Sequence, residues 1–175
     1  MRSGIRSGSR AYAFAATPYR HLVDEKNALL SGYREYYSQF GEDVVLLNLV
    51  GDDTGTYVDI GAGYPIRGSN TFDPYRRGWS GILIDPILAN VELARKRRPR
   101  DMALCALVGS DKEAIEFWEY ETYELSTSEE NRVRQLAEEN LSPSRKYLIE
   151  SISLRSLGLG ATPFDSIVLS IDVEG

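Results

Sequence analysis

One histidine, His21, and one cysteine, Cys105, are all that this 175-residue chain holds of those two residue types. That scarcity excludes a disulfide framework and a metal cluster built from thiolates and imidazoles. It suits a reducing, cytoplasmic compartment. No apolar run approaches the roughly 18 residues a membrane-crossing helix needs, and no secretory apolar segment opens the chain. Positive charge is also short: 20 lysines and arginines face 26 acids, a net charge of −6. A general nucleic-acid binder needs a basic face, so that class is set aside.

What is present is ordinary globular material. The chain is 42% hydrophobic and 26% charged, enough for one domain with a real core. Cys105 sits in the apolar run 102–108 and reads as a buried core thiol. Residues 1–30 read as a basic tail and the start of an N-terminal helical extension. Arg2, Arg6, Arg10 and Arg20 occur there among serines and alanines with no acid in the first 20 positions. An organelle transit peptide is the other reading of that composition. Residues 31–175 read as the folded domain.

The densest signal is Tyr57-Val58-Asp59-Ile60-Gly61-Ala62-Gly63. It predicts a short buried strand that runs into a glycine turn. A second strand, Gly81-Ile82-Leu83-Ile84-Asp85, ends on a carboxylate. Strand, glycine turn, helix, strand and terminal acid form the nucleotide-binding half of a Rossmann-like α/β fold. Asp85 suits a ribose diol, because one carboxylate accepts two hydroxyl hydrogen bonds. Facing a cleft, it should be removable with little loss of stability. A dinucleotide turn wants a third glycine three positions after the second, where this chain has Ile66 preceded by Pro65. S-adenosylmethionine has a ribose and no pyrophosphate. Gly61 and Gly63 offer backbone clearance for it, and Asp59 suits its cationic sulfonium and amino groups. The bland reading is a tight strand–helix turn and nothing more.

Along the chain, residues 21–50 predict helix, ending near Gly51. Helix is expected from near Asn70 or Thr71, with Ser69 or Asn70 as N-cap, and again over about 87–98. Leu88, Val91, Leu93 and Ala94 of that second helix should face the sheet, and the basic run Arg95–Arg98 complements its dipole. Strands are expected at 102–108, 114–120, 151–157 and 166–172. Ser126 and Glu129 match a capping box that opens a helix to about Asn140. Alternating strands and helices predict a mostly parallel sheet with helices on both faces.

The chain resembles the FkbM-type methyltransferases, a class I S-adenosylmethionine-dependent family. The matching motifs are Ser38-Gln39-Phe40-Gly41-Glu42-Asp43, 57–63, Ser69-Asn70-Thr71, 78–86, Leu125-Ser126-Thr127 and Ile171-Asp172-Val173-Glu174-Gly175. They occur in the family's order over about 37–175. The resemblance implies a class I methyltransferase fold and methyl transfer to a hydroxyl, typically on a sugar or secondary metabolite, so the partner is a small hydroxylated acceptor. It implies that Asp59, Gly61 and Gly63 form the cofactor turn and that Asp85 holds the ribose. Asp111 should meet the adenine, or be a plain turn residue. Ser69 and Asn70 should bind the methionine carboxylate, serve as plain N-caps, or do both. Gln39, Glu42 and Asp43 should line the cofactor mouth or only favour a helix start.

With His21 outside the family-like region, the candidate bases are Asp172 and Glu174, although Glu174 also reads as a solvated terminal residue. No metal is called for, since two carboxylates at i and i+2 are too few ligands. The class usually continues beyond its fourth core strand, so the expectation is a fold lacking its C-terminal half and much of its acceptor pocket. Strand 166–172 should then be an open edge prone to self-association. The alternative function is a non-catalytic cofactor- or partner-binding remnant.

Overall fold

The computed structural model describes residues 10–15, 36–50, 54–158 and 166–173, with the backbone path alone for 10–15. In chain order the elements are β1 (Arg10–Ala15), α1 (Glu42–Val50), β2 (Thr56–Ile60), α2 (Phe72–Arg76), β3 (Ser80–Asp85), α3 (Leu88–Arg97) and β4 (Met102–Cys105). They continue with β5 (Leu107–Val108), β6 (Ala114–Glu119), α4 (Glu130–Glu138), β7 (Arg145–Ile152) and β8 (Ser166–Ile171). Short 3₁₀ turns cover Tyr123–Leu125 and Leu154–Leu157.

Five strands form one sheet in the order β1-β8-β2-β3-β4, and every pair in it is parallel. Its centre is β2, buried at all five positions. Alternation along the strands divides the core. Tyr57, Leu83, Ala103 and Val168 point to one face, where α1 (Leu46, Leu47, Val50), α2 (Tyr75) and α3 (Val91, Ala94) cover them. Val58, Ile60 and Ile84 point to the other face, against Val108, Ile152 and Leu157.

The expectation of helices on both faces is therefore corrected: among the described residues α1, α2 and α3 share one face. Right-handed crossovers from β2 to β3 to β4 all step the same way along the sheet, so α2 and α3 must land on the same side. The return from β4 to β8 crosses the other side, and it carries the three-stranded sheet β5-β7-β6. There β5 is parallel and β6 antiparallel to β7. Helix α4 packs on that smaller sheet, with Leu136 against Trp118 and Tyr120.

Several local expectations shift. The strand expected over 102–108 breaks at Ala106, whose N–H bonds the Asp85 carbonyl at 3.3 Å. The chain thereby leaves the first sheet and enters the second. Cys105 is exposed, not buried: it is the last residue of β4, an edge strand of the sheet. Leu88 is exposed as well, leaving Val91 and Ala94 as the core side of α3. The capping box does not form: Glu129 is the N-cap of α4 with no side-chain bond, and Ser126 Oγ instead accepts from the Tyr120 N–H. The strand expected over 151–157 is the end of β7 followed by a 3₁₀ turn.

The largest departure is β1. Residues expected in a basic tail run parallel to β8 from Arg10↔Ser166 to Ala15↔Ile171. Strand β8 thus has β2 on one edge and β1 on the other, and the open edge expected there is filled. The alternation of Tyr12 and Phe14 with alanines in 10–15 is too short to announce this, since a short strand takes its identity from the edge that accepts it.

Candidate functional site

Strand order reverses at β2. The chain passes from β2 to β3 on one side, and β8 returns on the other. In an open parallel sheet a ligand crevice forms outside the strand ends at such a switch point. The carboxyl ends of β2, β3 and β8 bring Gly61–Gly63, Asp85 and Asp172 to one cleft.

The glycine turn is built by close packing. Gly61 has φ +75°, and a Cβ there would lie 1.9 Å from the Asp172 carbonyl oxygen. Its missing side chain is what lets the end of β8 approach β2. Gly63 has φ +55°, and a Cβ there would lie 3.2 Å from the Tyr123 ring. Clearance at this turn is taken up by the protein itself.

Asp85 locks the turn to β3. Its Oδ2 accepts from the Gly63 N–H at 2.8 Å. Its Oδ1 accepts from the Ile87 N–H at 2.8 Å and from Asn90 Nδ2 at 3.2 Å. The residue is 6% exposed, and burial pushes its pKa up although these bonds pull it down. A carboxylate offers about four acceptor sites, so about one remains toward the cleft. The bidentate diol contact expected of Asp85 would need two free acceptor positions, and three of about four are already used within the protein.

Asp59 stands elsewhere. It alternates with Val58 and Ile60, so it points to the helical face, fully enclosed. Its Oδ2 accepts from Thr71 Oγ1 at 2.6 Å. Burial pushes its pKa up; the Thr71 bond, the nearby Arg98 charge and the Ser170 hydroxyl oppose that. Ser69 is buried with its Oγ accepting from Arg98 Nη1 at 3.0 Å. Asn70 donates to Ser170 Oγ at 3.2 Å. Thr71, not Ser69 or Asn70, is the N-cap of α2. That helix has five residues, too short to offer an anion a dipole. Asp59, Ser69 and Asn70 are thus absent from the cleft lining.

Asp111 is also away from the cleft. It is exposed and accepts from the Ser153 N–H at 2.7 Å and from Ser153 Oγ at 2.8 Å, which holds its carboxyl below the usual range. The break at Ala106 brings Leu107 to the cleft in its place. Glu174 lies outside the described residues. Of the residues at the helix start, Gln39 reaches the cleft. Glu42 accepts from the Phe40 N–H, and buried Asp43 accepts from Tyr37 N–H and Ser38 Oγ.

The remaining walls come from distant sequence. Ile87, Leu107 and Phe117 make an apolar side, and Ser126 and Thr127 lie near Glu124. Tyr123 stands over Gly63 and meets Tyr64 edge to face at 4.6 Å. Burial, with Glu124 next, pushes the Tyr123 pKa up to about 12, so at neutral pH its hydroxyl keeps its proton. Nothing in the local sequence around Tyr123 marks it, because the contact with Gly63 is made only by the fold. Three carboxylates, Asp85, Glu124 and Asp172, line the cleft, and no lysine, arginine or histidine does among the described residues. The cleft is open to solvent on one side, and its volume is about 220 Å³, below the roughly 300–1,000 Å³ of most small-molecule pockets.

The chain matches no family model, no curated protein and no solved structure. Among the described residues no helix is long and apolar enough to cross a membrane, and no cluster of potential metal ligands occurs.

Proposed function

We propose that this cleft binds S-adenosylmethionine and that the chain is a methyltransferase of the FkbM type, with a class I methyltransferase fold, acting on the hydroxyl of a small acceptor. The observation that carries the reading is the charge of the lining: Asp85, Glu124 and Asp172 without a cation. Such a cleft repels the two negative charges of a pyrophosphate and attracts a sulfonium and an ammonium. Its apolar side, Ile87, Leu107 and Phe117, suits a flat base.

When bound, the cofactor supplies a methyl group already activated for displacement. The chain's own part is to align and to handle a proton. Asp85 accepts one ribose hydroxyl at its remaining lone pair. Asp172 is exposed at the end of β8 beside Gly61, where it would take the acceptor's hydroxyl proton as the methyl group passes from sulfur to oxygen. Alignment is the larger contribution, up to roughly 7–11 kcal/mol, with a base adding roughly 10²–10⁴-fold.

Calorimetric titration with S-adenosylhomocysteine and with NAD tests the reading. The expected result is saturable binding of the first, with NAD weak or undetected. Tighter binding of NAD would refute it.

A further inference from the structure

We infer that Arg98 is a positioning residue: it holds the segment Pro65–Thr71, which continues from the glycine turn and meets the cleft at Gly68, in the shape that receives the cofactor. This rests on the reading of the cleft proposed above. The sequence offers Arg98 only as the last of four basic residues that complement a helix dipole. The fold separates it from its neighbours. Arg95, Lys96 and Arg97 are exposed, whereas Arg98 is completely buried.

A guanidinium has five N–H donors in a fixed planar fork, and all five are used. Nε donates to Asp101 Oδ2 at 2.7 Å. Nη1 donates to the Pro65 carbonyl at 3.3 Å and to Ser69 Oγ at 3.0 Å. Nη2 donates to the Tyr57 hydroxyl at 2.9 Å and to Thr71 Oγ1 at 3.0 Å. The Tyr57 and Tyr75 ring centroids lie 5.3 and 5.2 Å from the guanidinium carbon.

Three of those five acceptors belong to 65–71, a segment with little regular structure to hold itself. From Thr71 the network continues through Oγ1 to Asp59, while Asn70 ties to Ser170 on β8. Within the segment Gly68 lines the cleft and is held by its N–H to the Tyr37 carbonyl at 2.7 Å. Arg98 itself is not part of the cleft lining, so its influence on a ligand passes through this segment. A lysine has the charge but only three donors on one atom, and cannot reach acceptors that lie on both sides of the fork.

Hydrogen exchange and titration with S-adenosylhomocysteine on Arg98→Lys and Thr71→Val decide the point. Leu136→Ala serves as a control for general destabilisation, since Leu136 is buried in the separate cluster on α4. Faster exchange confined to amides of 63–71 is expected in both variants, with α3 and β4 unchanged. Cofactor-product affinity should fall by at least about tenfold, the change that about 1.4 kcal/mol produces, while Leu136→Ala binds as the parent does. Unchanged exchange at 63–71, or a rise spread evenly over the sheet, overturns the inference and leaves Arg98 as a core ion pair. If Arg98→Lys does not fold, Thr71→Val decides alone. If the parent chain itself does not bind S-adenosylhomocysteine, the cofactor reading fails, and the exchange data still decide whether Arg98 holds the segment.

Discussion

Replacing Asp85 separates a cleft residue from a structural one. A strand-end acid that only faced a ligand would be lost at little cost to the fold. The structure gives the opposite expectation. Asp85 accepts the Gly63 and Ile87 N–H groups inside the protein, and alanine would leave both without a partner. Each orphaned buried donor costs roughly 1–3 kcal/mol. Against that, alanine removes a carboxylate whose pKa burial has pushed up, which returns part of the loss. A net destabilisation of about 2–4 kcal/mol remains.

For a chain of this size each 1 kcal/mol lowers the melting temperature by about 2–4 °C, so Asp85→Ala should melt roughly 4–16 °C below the parent. Asp85→Asn keeps one oxygen for Ile87 and Asn90 and turns an amide toward Gly63, so about half the loss is expected. Urea unfolding of the three chains, with midpoints and slopes compared, is the assay. If Asp85→Ala unfolds within about 0.5 kcal/mol of the parent, the range of an uninvolved surface change, the turn is not held by Asp85. The argument would then be wrong.

Two further outcomes follow from the same geometry. Gly61→Ala places a Cβ 1.9 Å from the Asp172 carbonyl at φ +75°, whereas Gly158→Ala at φ +67° meets nothing within 4 Å. Both carry the left-handed penalty of roughly 1–2 kcal/mol. Only the first adds overpacking of roughly 1–3 kcal/mol, so equal unfolding midpoints would refute the close approach. Asp59 has its folded-state pKa raised above the ordinary 3.8, so between those values the folded chain binds more protons than the unfolded one. Its contribution to stability is present below that window and lost as pH rises through it. Asp59→Asn should flatten that fall in unfolding free energy, and a pH series with identical slopes would count against it.

Much of the α/β framework was legible in the residues. The apolar runs 56–60, 80–85 and 166–171 declare buried strands because a strand covered on both faces has no polar side to show. The glycine turn after β2 and the acid after β3 are local patterns, and local patterns survive being read one residue at a time. Three members of the cleft, Gly61, Gly63 and Asp85, were found that way, and Asp172 came from its place at a strand end.

The rest depended on contacts between residues far apart in the chain. Asp59 and Asp85 alternate onto the same face of the sheet, yet Asp59 lies one position short of the end of β2 and meets Thr71 under the helices, while Asp85 ends β3 and reaches the cleft. Four consecutive basic residues look alike in sequence, but helix phase buries only Arg98 among Tyr57, Asp101 and Thr71. Tyr123 meets Gly63 across sixty positions, and β1 pairs with β8 across more than 150. Hydrophobic period and turn chemistry act over a few residues and so can be read directly. Which face a polar side chain meets, and which strand fills an edge, is set by packing and hydrogen-bond completion in three dimensions.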